Sequence, residues 1–203
     1  MRSILAFSLI LCLLFSLSAC SPAVPRDPFA YAAAPFSLFV EGTYDLSDGG
    51  ETPPRPFSAE ITFGAPVGGD PTVRDLTVTF ASPDTLAGVT VKATLSPAAE
   101  GAVTRTVTFT YPTAYGIVEL DSTNNGQDGL LRYAEAWLPV GDVAEVSPKS
   151  PDGGYTVTRR REGREAVFTF AEGQTLPVGV RLTDGRGIVE MRLTDSEKNT
   201  PPS

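Results

Sequence analysis

The sequence predicts a mainly β domain, an antiparallel sheet with one or two covering helices, on three observations. Apolar residues recur at every second position through most of residues 36–195, the period of a half-buried strand. Glycine- and proline-bearing turns cut these runs at hairpin intervals. One internal segment, Asp128 to Leu138, breaks the period and spaces its apolar residues by three and four, as one face of a helix does.

The chain opens with Arg2 and an apolar run from Ile4 to Leu17. That run is shorter than the roughly 20 residues that span a bilayer core, so it reads as a signal peptide over residues 1–19. Leu17-Ser18-Ala19-Cys20 resembles a bacterial lipobox. The resemblance implies cleavage before Cys20, lipid attachment to its sulfur, and a membrane anchor of two or three acyl chains, each methylene contributing about 0.8 kcal/mol. An ordinary secretory peptide that happens to place Cys20 near its cut is the alternative. Ser21 stands where an Asp would hold such a protein at the inner membrane. The expected location is therefore the cell membrane or outer membrane, lipid-anchored and facing the extracytoplasmic side.

Residues 21–26 (SPAVPR) read as an extended tether. Asp27-Pro28 then starts a short helix over Phe29 to Ala34, which Pro35 stops; residues 20–35 thus form a linker. The β domain is expected over 36–195 and a frayed tail over 196–203.

Strands follow from the alternation of Phe36, Leu38 and Val40, of Phe57, Ala59, Ile61 and Phe63, and of Leu76, Val78 and Phe80. Further strands are expected at Val89–Leu95 and Val103–Tyr111, where Val107, Phe109 and Tyr111 face one way and threonines the other. Later ones fall at Tyr155–Arg160, Ala166–Phe170, Val178–Leu182 and Val189–Leu193, making eight to ten in all. Within Asp128–Leu138 the helical face comprises Leu130, Leu131, Ala134, Trp137 and Leu138, with Asp128 as cap and Pro139 beyond its end. Trp137 is the single tryptophan. It is either core or the floor of a lid over a cavity.

The run Arg74 to Val89 (RDLTVTFASPDTLAGV), the strands and helical insertion after it, and Leu176-Pro177-Val178-Gly179-Val180 through Asp195 resemble small bacterial lipoproteins related to the LolA-type outer-membrane lipoprotein carriers. That resemblance covers most of residues 36–195. It implies a strongly curved antiparallel sheet, an incomplete barrel, whose apolar concave face is covered by helices and binds acyl chains; a β-sandwich is the alternative. The expected apolar cavity lies between Leu76, Val78, Phe80, Val107 and Phe109 on the sheet and Leu131 and Trp137 on the helix. The family often has a longer first helix than this chain offers.

Composition narrows the function. With 16 basic and 24 acidic side chains and a net charge of −8, the chain is unsuited to nucleic acid or to electrostatic adhesion to anionic lipid. Its two cysteines, Cys12 and Cys20, leave with the signal or carry lipid, so no disulfide is expected. It has no histidine, which excludes Ser-His-Asp and Cys-His catalysis and histidine-bound zinc. No nucleophile elbow, P-loop or dinucleotide fingerprint is present. The expectation is no enzyme, no cofactor and no metal.

Asp121 to Asp128 (DSTNNGQD) imitates the start of a calcium loop, but Arg132 occupies the position of the bidentate Glu. Asp45, Asp48 and Glu51 are a weaker set, and both stretches read as loops. Arg159, Arg160, Arg161 and Arg164 form one basic cluster, interleaved with Glu162 and Glu165, expected as an exposed, self-neutralised hairpin. The leading functional expectation is a non-catalytic lipoprotein binding a lipid or other apolar ligand. An envelope interaction or scaffold module with a solid core is the alternative.

Overall fold

A computed structural model describes residues 27–45, 53–97, 103–113, 116–122, 130–147, 150–185 and 187–194. The signal segment, Cys20, the tether, residues 123–129 of the calcium-like loop, residues 46–52 of the second acidic loop and the tail from 196 lie outside the described residues.

Among the described residues eleven strands form one antiparallel sheet: β1 (Phe36–Asp45), β2 (Arg55–Phe63), β3 (Leu76–Ser82), β4 (Thr90–Pro97), β5 (Val103–Thr113), β6 (Gly116–Ser122), β7 (Asp142–Val146), β8 (Tyr155–Arg161), β9 (Arg164–Phe170), β10 (Gly179–Asp184) and β11 (Gly187–Leu193). Their order is β6-β5-β4-β3-β2-β1-β11-β10-β9-β8-β7. Two meanders therefore meet where the first strand pairs with the last. A single sheet rules out the β-sandwich alternative. Besides the strands, the described residues hold a 3-10 turn, Ala30–Ala33, and one short α-helix, α1 (Arg132–Glu135).

The topology itself places α1. The chain leaves the sheet at β6 on one edge and re-enters at β7 on the other, so the connection between them has to cross from wing to wing. The two wings are close because the sheet is strongly curved. β5 and β10 are six places apart in the order, which in a flat sheet would separate them by about 29 Å. Yet Arg105 of β5 contacts Glu135, and Asp184 of β10 contacts Arg132; those two α1 positions are only about 4.5 Å apart along the helix.

Alternation decides what the concave side contains. Leu38, Val40, Ile61, Phe63, Leu76, Val78, Val91, Val107, Val157, Phe168, Leu182 and Val189 are all buried and join one hydrophobic cluster. The intervening threonines and charged residues face outward, where Arg192–Glu41 and Arg181–Glu190 pair across neighbouring strands. The seam between β1 and β11 is tight at Gly42, where a Cβ would fall on the Glu190 carbonyl; no larger residue fits there. The β8–β9 hairpin turns through Glu162 and Gly163, with φ of 43° and 77°, the left-handed pair that a two-residue hairpin requires.

The helix is shorter than the eleven residues expected. Only Arg132–Glu135 is regular, flanked by hydrogen-bonded turns through Leu138. Four residues cannot meet the cost of nucleating a helix from propensity, so contacts with the sheet hold this segment. The first helix is likewise a single 3-10 turn.

Candidate functional site

Residues 130–138 lie across the concave face as a strap, and Phe29, Tyr31 and Ala32 join the same buried cluster beside it. Trp137, Ala134 and Ala136 are entirely buried, and Leu131, Tyr133 and Leu138 nearly so. Tyr133 inserts among Phe57, Phe80 and Tyr44, at ring distances of 4.4, 5.4 and 6.2 Å. On the other side of the strap Phe29 meets Phe168 edge-on at 4.9 Å, and Tyr31 meets Phe36 at 5.3 Å. Such edge-on pairs suit the charge distribution of aromatic rings.

Of the residues expected to line the interior, Leu76, Val78, Phe80, Val107, Leu131 and Trp137 are all buried in one cluster. Phe109 is half-buried against it and stacks on Tyr111 at 6.3 Å. The seven are thus brought to one face of the sheet and its cover, with the strap seated on them. An open groove of about 600 Å³ lies instead on the outer face, bordered by Glu41, Thr43, Ser58 and Arg192. Tyr133 belongs to the interior together with Trp137. Its spacing of three from Leu130 and four to Trp137 carried that signal.

Polar contacts hold the cover at its rim. Tyr31 donates its hydroxyl to the Trp137 carbonyl at 2.6 Å. Arg132 Nη2 lies 2.8 Å from Asp184 Oδ1 and also donates to the Gly187 carbonyl. Arg105 donates to Glu135 Oε1 at 2.8 Å, and Arg164 to the Glu135 carbonyl at 2.7 Å. Arg159 donates to the Gly141 carbonyl and lies over the Phe29 ring, 4.9 Å from its centroid. Arg74, fully buried, donates to the carbonyls of Pro71, Ala34 and Ala32 and sits over Phe36. The Trp137 indole N–H is buried and has no acceptor among the described residues.

The basic cluster differs from the uniformly exposed hairpin that its sequence suggests. Arg160 is exposed and pairs with Glu165 at 2.6 Å, and Arg161 is exposed as well. Arg159 and Arg164 fall on the inward parity of Tyr155–Val157 and of Ala166–Phe168–Phe170, so they point to the rim of the interior. Burial lowers the Arg159 guanidinium pKa, and nearby Asp142, Tyr31 and Asp27 oppose that shift. Burial drives the Tyr31 phenol far above the ordinary tyrosine range despite Arg159 and Arg74 nearby. Burial, with Tyr44 alongside, pushes Tyr133 up to about 12, against the opposing charge of Arg132. Among the described residues no group of three or more carboxylates and cysteines is placed to hold a metal.

No protein-family model matches the chain, and no curated protein matches it. Solved structures do resemble it in fold. A LolA superfamily protein from Nitrosomonas europaea aligns at 10% identity over 85% of this chain and 93% of its own, with a TM-score of 0.45. An uncharacterized conserved protein from Thermus thermophilus aligns at 12% identity over 83% and 81%, with a TM-score of 0.43. A putative outer membrane lipoprotein-sorting protein domain from Vibrio parahaemolyticus aligns at 10% identity over 80% and 84%, with a TM-score of 0.39. Likeness at this level says nothing of a ligand, and only the chain's own geometry bears on one.

Proposed function

We propose that this chain is a lipoprotein anchored through Cys20 on the extracytoplasmic side of a bacterial envelope, and that it binds an acyl chain or similar apolar ligand without chemistry. The ligand occupies the concave face of the sheet when the strap over residues 130–138 moves aside. Leu76, Val78, Phe80, Val107 and Phe109 then form the wall, and Leu131 and Trp137 the movable cover.

The observation that carries this reading is how the apolar face is covered. A second sheet would close it with strands held in place by their own backbone ladders. Here a segment with one turn of regular helix does so, tied to the wings by side-chain contacts at its edge. Trp137 adds a buried donor with no acceptor among the described residues, which costs about 1–3 kcal/mol. Moving the strap relieves that cost, and an acyl chain replaces its apolar contacts at about 0.8 kcal/mol per methylene.

A second reading, an envelope interaction module with a solid core, is favoured by the edge strand β7. It is exposed along its length and presents Val143 and Val146 at an edge that no other described strand covers, a template for strand addition by a partner.

One experiment separates the two. The described core runs from Phe29 to Met191, so residues 21–203 contain it whole. This segment, purified from a membrane-containing host, is weighed by native mass spectrometry and then extracted with organic solvent. A stoichiometric lipid, weakened by Trp137→Glu or Leu131→Glu, supports the apolar site. An apo mass with no uptake of fatty acid or phospholipid overturns it in favour of the solid module.

A further inference from the structure

We infer that the amphiphile taken by this interior carries an anionic head, a carboxylate or phosphate, received by Arg105, Arg159 and Arg164 at the mouth and mimicked in the closed state by Glu135. This deepens the proposed apolar site and rests on it.

The apolar wall ends in arginine on three strands. Val107 leads on its own parity to Arg105 on β5, Val157 to Arg159 on β8, and Phe168 through Ala166 to Arg164 on β9. The hairpin register sets Arg159 opposite Ala166 and so brings Arg159 and Arg164 to adjacent strands. Curvature brings Arg105 to the same place from the far wing, since Arg105 and Arg164 both donate to Glu135, one to its carboxylate and one to its carbonyl. Arginine is the side chain whose planar set of donors matches carboxylate and phosphate.

Two of these guanidiniums take acceptors from the strap, Arg105 from Glu135 Oε1 and Arg164 from the Glu135 carbonyl, while Arg159 donates to the Gly141 carbonyl just before β7. Displacing the strap takes the Glu135 carboxylate away from Arg105 beside an apolar wall, a loss that a bound anion offsets. Even with the strap in place, the Nε–H groups of Arg105 and Arg159 are buried without an acceptor among the described residues. The donors here exceed what the strap satisfies. In a chain of net charge −8, such a concentration of inward cations is not explained by general surface solvation. A neutral acyl ligand would use the wall and leave these groups idle. A ligand with a tail and an anion uses both.

The test compares amphiphiles with the same tail. Residues 21–203 are titrated calorimetrically at neutral pH with dodecanoate, dodecanol, acetate and inorganic phosphate. The account expects dodecanoate to bind about tenfold more tightly than dodecanol, the worth of a hydrogen bond to a charged group, and expects acetate and phosphate to bind far more weakly. Arg105→Gln and Arg159→Gln bring the ratio of dodecanoate to dodecanol affinity toward one, whatever their effect on dodecanol itself. Glu135→Gln, which removes the competing carboxylate, raises the dodecanoate-to-dodecanol affinity ratio several-fold and so tests the idea even if an arginine variant fails to fold. Equal binding of dodecanoate and dodecanol overturns the anionic head and leaves the apolar site standing. Binding of neither overturns the apolar site itself. Phosphate or acetate binding as tight as dodecanoate reassigns the cluster to a free anion and also overturns the inference.

Discussion

The Tyr31 hydroxyl donates to the main-chain carbonyl of Trp137, 106 residues away in the chain, at 2.6 Å. The bond joins the two segments that fill the concave face, the N-terminal 3-10 turn and the strap, neither of which belongs to the sheet. The Trp137 carbonyl is deeply buried, so without Tyr31 it faces a desolvated site. Tyr31→Phe keeps the ring against Phe36 and removes only the donor. The expected cost is about 1–2 kcal/mol, read as a lower urea midpoint with an unchanged slope.

Arg132 and Asp184 provide the strap's most buried charge contact, with side chains only 5% and 20% exposed. Asp184→Ala leaves the guanidinium with its charge uncompensated by that carboxylate. Breaking a largely buried pair by one partner is expected to cost about 3 kcal/mol, checked by equilibrium unfolding. The exposed pair Arg181–Glu190, at 55% and 56%, serves as the control, and its removal should cost less than about 1 kcal/mol.

Arg74 docks the 3-10 turn by reaching three backbone carbonyls at once. Lysine has one nitrogen and cannot make that fork. Arg74→Lys should therefore destabilise by about 2–3 kcal/mol, since at least one buried carbonyl loses its donor. Faster amide exchange at Tyr31 and Ala32, with the β10–β11 ladder still protected, would place the loss at the turn.

Much of this was legible in the residues. The alternation at β1, β2, β3 and β5 names the inward rows, and the break in period at 128–138 finds the cover. β7 was not legible, because all five of its residues are exposed; a strand with no buried parity is specified by its pairing with β8, not by its own pattern. Arg159 and Arg164 were hidden for the opposite reason. Their parity points inward, but a run of charges reads as surface until curvature brings Glu135 to Arg164 and the pairing of β7 with β8 brings Gly141 to Arg159. The length of α1 also depends on tertiary contact, as Tyr133 packs into a box made by three separate strands.

Alkaline pH should loosen the cover before the sheet. Tyr133 is raised from 10.0 to about 12, mainly by burial, and Tyr31 and Tyr155 are raised as well, also by burial. A raised phenol pKa in the folded state means that folding favours the neutral form. The stability it contributes is complete below about pH 10 and is lost as pH climbs toward the folded value. Spectrophotometric titration of the six tyrosines should therefore show late-ionising phenols above pH 10 in the folded chain. Those phenols should ionise early once urea unfolds it.

The most direct measurement of the central claim is quenching of Trp137 by a fatty acid brominated along its chain. Bromine quenches on contact, and the chain has one tryptophan, carried by the strap and fully buried. If the concave face admits an acyl chain, the blue-shifted emission of Trp137 falls saturably at about one ligand per protein, and unbrominated fatty acid of equal length reverses it. If the interior is solid, emission stays bright and blue at every ligand concentration below the micelle threshold, and the apolar-ligand reading is wrong.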